Sequence, residues 1–204
     1  KDALDARDRF MRNMSHELRT PLQSIMGFTS IMLGGMTGPI TDEQRRQLGM
    51  VDASSKRLLA LVDDVLDLGK MREHGVRVHA GRFTSSEVTT ALVEAMRPLS
   101  ERKSLECRLG QDGGPIEMET DRAMVERILL NLLSNAIKYT ETGFVRLHVE
   151  PDGDGHVVFE VSDSGRGIPA SELDRVMEDF HQVLEPDGAK PVGTGLGLPI
   201  SRRM

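Results

Sequence analysis

The chain has 204 residues, 38% of them hydrophobic and 28% charged, which is typical of a globular protein with one or two domains and a buried core. Its formal net charge of −6 argues against a general nucleic-acid binder, and no basic run with interleaved aromatic residues occurs. A single cysteine, Cys107, excludes an internal disulfide and suggests a reducing cytosol. No apolar run approaches the roughly 18 residues that a membrane span needs, and no signal peptide is visible, so we expect no membrane contact within this stretch.

The first predicted element is a helix over about residues 2–33. Its apolar residues follow one another at alternating steps of three and four, which is typical of a helix packed in a bundle or coiled coil. They are Met11, Met14, Leu18, Pro21, Ile25, Phe28 and Met32. No capping residue precedes the helix, so we expect it to continue a longer one. Pro21 lacks a backbone donor and is expected to bend the helix.

A second helix is predicted over about residues 42–72. Gly34, Gly35, Gly38 and Pro39 separate it from the first helix. Thr41 with Gln44 predicts a capping box at its start. Its stripe has the same spacing and consists of Leu48, Val51, Ser55, Leu58, Val62 and Val65. Two such helices joined by a short loop predict an antiparallel hairpin, and a second copy would complete a four-helix bundle, so we expect a homodimer. The alternative is that the second domain covers the stripe.

The rest of the chain alternates between helix and strand patterns. Residues 73–81 lose the helical period and contain two glycines, which predicts a hinge. Predicted helices run from a cap at Ser85 or Ser86 to about 103, from a cap at Asp121 to about 139, and from about 170 to 178. Predicted strands cover 104–109, 116–119, 144–149 and 157–161. This order favours an α+β sandwich with helices on one face of a mixed sheet.

His16 is the first candidate functional residue. It and Glu17 fall off the apolar stripe of the first helix, so the imidazole is expected to meet water. Thr20 lies four residues later on the same face. A lone polar histidine on a helix is most often a solvated residue. A zinc-protease motif is excluded because its second histidine would stand where the chain has Thr20.

Polar residues at positions 131, 135 and 138 occupy one face of a predicted helix. Asn131, Asn135 and Lys138 follow the spacing i, i+4, i+7, while the intervening leucines point into the core. An asparagine oxygen suits magnesium bound to a nucleotide, and a lysine can neutralise phosphate charge. A solvated polar stripe is the alternative for this segment alone.

Two glycine-containing motifs follow. Asp163 ends an apolar strand and precedes Gly165 and Gly167, a pattern in which a carboxylate could accept a hydrogen bond from an adenine amino group, although Asp-Ser-Gly is also a common turn. Residues 193–198 have the spacing G-x-G-x-G, without the preceding strand of a dinucleotide fingerprint. Their glycines lead into a predicted helix start, where backbone N–H groups favour phosphate. Residues 180–192 have the composition of a mobile lid, with Lys190 as a candidate phosphate contact.

Residues 15–22, S-H-E-L-R-T-P-L, resemble the phospho-acceptor box of two-component sensor histidine kinases. The three later motifs resemble, in the same order, the asparagine box and the two glycine boxes of that family's ATP-binding domain, and Phe180 resembles the phenylalanine between them. The resemblance extends from about residue 9 to 201. Gyrase-type and chaperone-type ATPases share this ATP-binding fold and lack the phospho-acceptor helix.

The resemblance implies a role for each of three residues on the first helix. His16 would take the γ-phosphoryl group of ATP and pass it to an aspartate of a response-regulator receiver domain. Glu17 would be the general base, since a neighbouring carboxylate can accept the ring proton as the N–P bond forms. Thr20 would orient a water molecule in the reverse, phosphatase reaction on the regulator.

The resemblance also implies a nucleotide site for ATP and Mg²⁺. Asn135 would be the magnesium ligand with Asn131 beside it, Lys138 and Tyr139 would line the nucleotide, and Asp163 would contact the adenine. The remaining residues expected at the site are Gly165, Gly167, Lys190, Gly193, Thr194, Gly195, Leu196 and Gly197.

These expectations define a multidomain protein with a helical part and an α+β part. Residues 1–72 would form a dimerisation and phosphotransfer hairpin, 73–81 a hinge linker, and 82–204 an α/β sandwich that binds ATP and lacks the family's terminal strands. The expected function is that of a cytoplasmic histidine kinase core, either on its own or as the cytoplasmic part of a membrane-anchored sensor. The alternatives are a phosphatase-dominant variant and a non-catalytic dimeric scaffold that binds nucleotide.

Overall fold

The structure is a computed structural model that describes residues 2–111, 114–184 and 193–204. The side chains of residues 2–16, 70, 72–74 and 111 lie outside that description. Within the described residues, contacts divide the chain into two compact units. One holds the first two helices and residues 193–196, and the other holds residues 76–184 and 197–204.

The first unit is an antiparallel helical hairpin. Helix α1 covers Asp2–Leu33 and helix α2 covers Asp42–His74, in agreement with the predicted hairpin. The predicted capping box is present, because the Thr41 hydroxyl accepts from the backbone N–H of Gln44 at 3.2 Å and the Gln44 side chain accepts from the backbone N–H of Thr41 at 2.9 Å. Helix α2 extends to His74, two residues beyond the predicted end, before Gly75 caps it.

Four of the buried residues that the structure describes in the hairpin are seven apart within their helix, and Leu68 of α2 is buried as well. Leu22 and Thr29 are buried in α1, as are Ser55 and Val62 in α2. Most of the described part of the predicted α1 stripe lies elsewhere and is exposed, with exposed fractions of 41% for Leu18, 42% for Ile25, 68% for Phe28 and 37% for Met32. The heptad pattern therefore marks two faces, one buried within a single hairpin and one left open.

In the second unit, the described residues form five strands in two sheets. Strand β1 (Gly81–Thr84) pairs antiparallel with β3 (Glu117–Thr120). Strand β2 (Glu106–Gln111) pairs parallel with β4 (Phe144–Pro151), and β4 pairs antiparallel with β5 (Val157–Asp163). The predicted mixed sheet is thus present, in the order β2-β4-β5.

The described part of this unit also contains three α-helices: α3 (Ser85–Arg102), α4 (Arg122–Tyr139) and α5 (Gly197–Arg203). The core lies where α3 and α4 pack on the sheet, with Val88 and Leu92 from α3, Leu129 and Leu133 from α4, and Val145 and Leu147 from β4. On β4 these residues alternate with the exposed or partly exposed Phe144, Arg146 and His148, so only one face of the sheet is apolar.

Three local predictions were wrong. Strand β1 was not predicted. Helix α3 is capped by Thr84 and not by Ser85 or Ser86, because the buried Ser85 hydroxyl accepts from the backbone N–H of Ile116 instead. The helix predicted over 170–178 consists of two single 3-10 turns, Ala170–Glu172 and Arg175–Met177. Neither turn contains a buried residue, and a short helix needs an apolar face to bury.

Among the helices that the structure describes, none is both long enough and apolar enough to cross a membrane.

Candidate functional site

The phospho-acceptor segment lies on α1. The backbone of His16 belongs to this helix, and its side chain lies outside the described residues. Glu17 and Thr20 are exposed on the same helix. Arg19, between them, forms an ion pair with Asp63 of α2, with 2.5 Å between Nη2 and Oδ1. This ion pair joins the two helices of the hairpin next to the segment that carries the candidate acceptor.

Helix α4 carries the predicted polar face. Asn131, Asn135 and Lys138 are all partly exposed, and the Asn135 amide donates to Oδ1 of Asn131 at 3.4 Å. The Asn131 amide in turn donates to the Ser201 hydroxyl of α5 at 2.9 Å. Gly197 lies so close to the Asn131 side chain that a Cβ there would overlap its amide oxygen. Asn131 therefore fixes α5 against α4. Of these contacts, none involves the side-chain oxygen of Asn135.

Tyr139, the last residue of α4, has two cations close to its ring. The Lys138 ammonium donates to the Tyr139 hydroxyl at 2.7 Å and lies 4.3 Å from its ring centre, while the Arg166 guanidinium lies 5.2 Å from the same centre. Contacts of this kind stabilise a cation over an aromatic face. Arg166 was not predicted as a site residue, although its position between Gly165 and Gly167 was the available signal.

Asp163 ends β5 next to the C-terminal turn of α4. Both hydrogen bonds that the described residues make to this carboxylate go to Oδ1, from the Gly165 backbone N–H at 2.8 Å and from the Thr140 hydroxyl at 3.5 Å. A Cβ at Gly165 would lie 2.6 Å from the Tyr139 carbonyl oxygen, so only glycine fits between α4 and Asp163. Within the described residues, no hydrogen bond goes to Oδ2 of Asp163.

The carbonyl end of α4 is held by Lys103, the C-cap residue of α3. Its ammonium donates to the carbonyl oxygens of Ile137, Lys138 and Thr140 at 2.9, 2.7 and 3.0 Å. Neither Lys103 nor Thr140 was predicted as a site residue.

The second glycine motif is described in part. Thr194 accepts from the backbone N–H of Leu196 at 3.1 Å and donates to Asp64 of α2 at 3.2 Å, and Gly195 adopts a positive φ of 72° that favours glycine. Leu196 is fully buried. Residues 193–196 belong to the unit of the hairpin, whereas Asn131, Asn135 and Asp163 belong to the other, so the structure does not join these predicted residues in one described site. Lys190 lies outside the described residues.

The described start of the predicted lid and the residue before it, Asp179, have two polar anchors. His181 contacts Glu172 with 2.6 Å between Nε2 and Oε2, and Arg203 forms an ion pair with Asp179 at 2.7 Å. The hydrogen bond from His181, with the charge of Arg175, lowers the pKa of the Glu172 carboxyl. Phe180 is more than half exposed and has a positive φ of 64°. Within the described residues, no group of three or more histidine, cysteine, aspartate or glutamate side chains could hold a metal ion.

The described residues thus form a helical hairpin and an α/β unit. In the α/β unit, the asparagine-bearing helix α4 lies beside the turn of Asp163 and Gly165. Residues 6–74 match the family described as His Kinase A (phospho-acceptor) domain. Residues 120–204 match the family described as Histidine kinase-, DNA gyrase B-, and HSP90-like ATPase. The chain belongs to the sensor histidine kinases, as the sequence motifs predicted.

Curated relatives agree with this assignment. The chain is 36% identical over 198 residues to the histidine protein kinase DivJ of Caulobacter vibrioides, covering 96% of this chain and 33% of that protein. It is 34% identical over 205 residues to the autoinducer 2 sensor kinase/phosphatase LuxQ of Vibrio parahaemolyticus, covering 98% of this chain and 24% of that protein. The chain thus spans about a quarter to a third of the length of these relatives.

A solved structure has the same fold. Full-length ShkA, crystallised with AMPPNP, superposes with a TM-score of 0.77 at 29% identity, covering 96% of this chain and 40% of that chain. The predicted fold class, a helical hairpin followed by an α/β sandwich ATPase domain, is confirmed.

Proposed function

We propose that this chain is the catalytic core of a protein-histidine kinase that phosphorylates His16 with ATP and passes the phosphoryl group to an aspartate of a response-regulator receiver domain. The observation that carries the proposal is the presence, in one chain, of the phospho-acceptor domain and of the ATPase domain with its asparagine helix and Asp163 turn. The LuxQ relative is named a kinase/phosphatase, which supports a phosphatase activity through Thr20 as the second candidate function.

In the proposed transfer, an imidazole nitrogen of His16 attacks the γ-phosphorus of ATP. The N–P bond forms, the bond from that phosphorus to the bridging oxygen breaks, and ADP leaves with the bridging oxygen's electron pair. Glu17, next to His16 in the sequence and exposed, takes the ring proton. Positioning and charge neutralisation supply most of the catalysis in phosphoryl transfer.

The nucleotide is proposed to bind along α4 and the Asp163 turn. Asp163 accepts from the adenine amino group through Oδ2, because Oδ1 already accepts from Gly165 and Thr140. Tyr139 and the cations beside it line the nucleotide, and the glycines and Thr194 of residues 193–197 surround the phosphates. Lys190 remains a proposed phosphate contact.

The residues fit a magnesium ion that is carried by the nucleotide. Magnesium bound with ATP keeps several waters and phosphate oxygens and takes only one or two protein ligands. The Asn135 amide oxygen is such a ligand, and no acidic cluster is needed. When bound, the ion neutralises charge on the phosphates.

We also propose the partners and the setting of the core. The open α1 stripe, which includes the 68% exposed Phe28, supports a homodimer through the hairpin. Domains are assigned as a phosphotransfer hairpin and an ATP-binding domain, joined by residues 75–80 because α2 ends at His74 and β1 begins at Gly81. The proposed location is the cytoplasm, where ATP and response regulators are available.

The direct test of the kinase reaction is autophosphorylation with γ-labelled ATP and magnesium. Wild type should incorporate label that acid releases, as expected of a phosphohistidine, and His16→Gln should incorporate none. His156→Gln is the matched control, because His156 lies on a surface turn with 78% of its side chain exposed. Acid-labile label retained in the His16→Gln variant would overturn the assignment of the acceptor.

The division between kinase and phosphatase activity is tested at Asn135. Asn135→Ala should reduce autophosphorylation by at least about 100-fold, the order of effect of losing one transition-state contact. Dephosphorylation of a phosphorylated regulator should survive, since it depends on Thr20 of the other domain. Equal loss of both activities would contradict this division of roles.

A further inference from the structure

Lys103 makes an unusually complete set of contacts for an exposed lysine. An ammonium group has three N–H donors, and here each has a carbonyl oxygen within 3.0 Å, from Ile137, Lys138 and Thr140. These acceptors are 34 to 37 residues away in the chain, so the contacts join α3 to the end of α4.

The three carbonyls lie at the C-terminal end of α4. The last carbonyls of a helix lack intrahelical partners and carry the negative end of the helix dipole, so a cation that binds them is favoured. Lys103 therefore fixes the place and direction in which the chain leaves α4 at its C-cap residue, Thr140.

The chain that leaves α4 leads directly to the proposed adenine site. The Thr140 hydroxyl donates to Oδ1 of Asp163 at 3.5 Å, and Thr140 is fully buried. The Tyr139 carbonyl oxygen lies close to Gly165, and the backbone N–H of Gly165 donates to the same Oδ1 of Asp163. A change in the path of residues 139–140 would therefore turn the Asp163 carboxylate.

We propose that Lys103 is a positioning residue for nucleotide binding: it sets the carbonyl end of α4, and through Thr140 it orients the Asp163 carboxylate for the adenine. The inference rests on the proposed function of Asp163. Lys103 acts without touching the nucleotide, so its effect falls on affinity for ATP more than on the transfer step.

The test compares Lys103→Met with Arg102→Met in the full chain. Both substitutions remove one positive charge at the end of α3, and Arg102 is exposed. Lys103→Met should weaken ADP binding by roughly tenfold. Titration calorimetry measures this affinity, at a temperature where urea unfolding shows that each variant is folded. The KM for ATP in autophosphorylation should rise by a similar factor with the maximal rate little changed, which marks loss of uniform binding. Arg102→Met should match wild type.

A second variant and a double mutant separate positioning from mere stabilisation. Thr140→Val keeps the shape of the side chain and the carbonyl that Lys103 binds, but removes the hydroxyl bound to Asp163, and it should weaken ADP binding likewise. Lys103→Met combined with Asp163→Asn should lose less affinity than the product of the two separate losses, because both act on one carboxylate.

The outcomes distinguish this inference from the function on which it rests. Wild type that binds no ADP would overturn the proposed function together with this inference. Wild type that binds ADP while Lys103→Met binds equally well, or loses only stability, would overturn the positioning role and leave the proposed function standing.

Discussion

Gly165 shows how closely two segments of the chain approach at the candidate adenine site. A Cβ at this position would lie 2.6 Å from the Tyr139 carbonyl oxygen, 2.8 Å from Oδ1 of Asp163 and 2.9 Å from the Thr140 hydroxyl. The first is a backbone atom, and the other two are oxygens of short side chains that are hydrogen-bonded to each other. None is the far end of a flexible side chain, so the site cannot adapt to a larger residue.

Gly165→Ala should therefore damage both stability and nucleotide binding. Forcing a methyl group into a packed site costs about 1–3 kcal/mol, and the displacement should turn Asp163 away from the adenine. Urea unfolding and ADP titration calorimetry measure the two effects. Gly81→Ala is the control, since a Cβ at Gly81 meets nothing within 4 Å. An unchanged ADP affinity in Gly165→Ala would contradict the proposed location of the adenine.

Short motifs predicted part of this site and missed the residues that support it. Asp163 and Gly165 are separated by one residue in the sequence, so an Asp-x-Gly pattern was enough to propose them. Lys103 contacts its partners through their backbone carbonyls, which any residue type provides, and those partners lie more than 30 residues away. No pattern in the sequence identifies such a contact. The roles of the predicted site residues stay predictions until they are tested.

Helix α4 is fixed at both of its ends. At its N-terminus, the Asp121 carboxylate accepts from the backbone N–H of Met124 at 3.2 Å and from that of His79 at 2.8 Å. At its C-terminus, Lys103 binds the carbonyls. The N-cap was predicted from Asp121 alone, whereas its bond to His79 depends on a chain segment 42 residues away. The helix that carries Asn131 and Asn135 thus has a defined position before any ligand binds.

The Asp121 cap makes stability depend on pH in a known direction. Hydrogen bonds from the His79 and Met124 backbones lower the pKa of its carboxyl. A lowered pKa contributes stability above the unfolded value of about 4, and that contribution is lost as pH falls through the folded value. Asp121→Asn should therefore be less stable than wild type at pH 7, and the difference should shrink below about pH 4.

Urea midpoints between pH 3 and 7 measure this effect. Asp154→Asn is the control, because Asp154 lies on an exposed turn. A difference between Asp121→Asn and wild type that stays constant down to pH 3 would mean that the charge of Asp121 does not contribute to the cap.

Helical periodicity predicted the hairpin better than it predicted which residues the hairpin buries. The bounds of α1 and the Thr41–Gln44 capping box follow from local residues and agree with the structure. The spacing of the apolar residues, by contrast, does not identify the helix against which they pack. Leu22 and Thr29 are buried within the hairpin, while Phe28, a member of the stripe, is exposed. Periodicity gives the spacing of contacts but not the identity of the partner surface.

At the scale of the whole molecule, the open stripe on α1 is an apolar surface that the hairpin does not bury by itself. Leu18, Ile25 and Phe28 leave 41%, 42% and 68% of their surface exposed at steps of seven and three residues. An apolar seam with heptad spacing is typical of a helix that packs on another helix. A second copy of the hairpin would bury it on both chains by symmetry.

Phe28→Glu should accordingly convert a dimer into a monomer. The substitution places a charge in the centre of the proposed seam on both chains at once, and burying two unpaired carboxylates there would oppose association by several kcal/mol. Sedimentation velocity at micromolar concentration measures the change in mass. Met36→Glu is the matched control, because Met36 is 80% exposed but lies beyond the end of α1 and off the seam. If Phe28→Glu and Met36→Glu sediment alike, the seam is not the dimer interface, and the α1 stripe must meet a different surface.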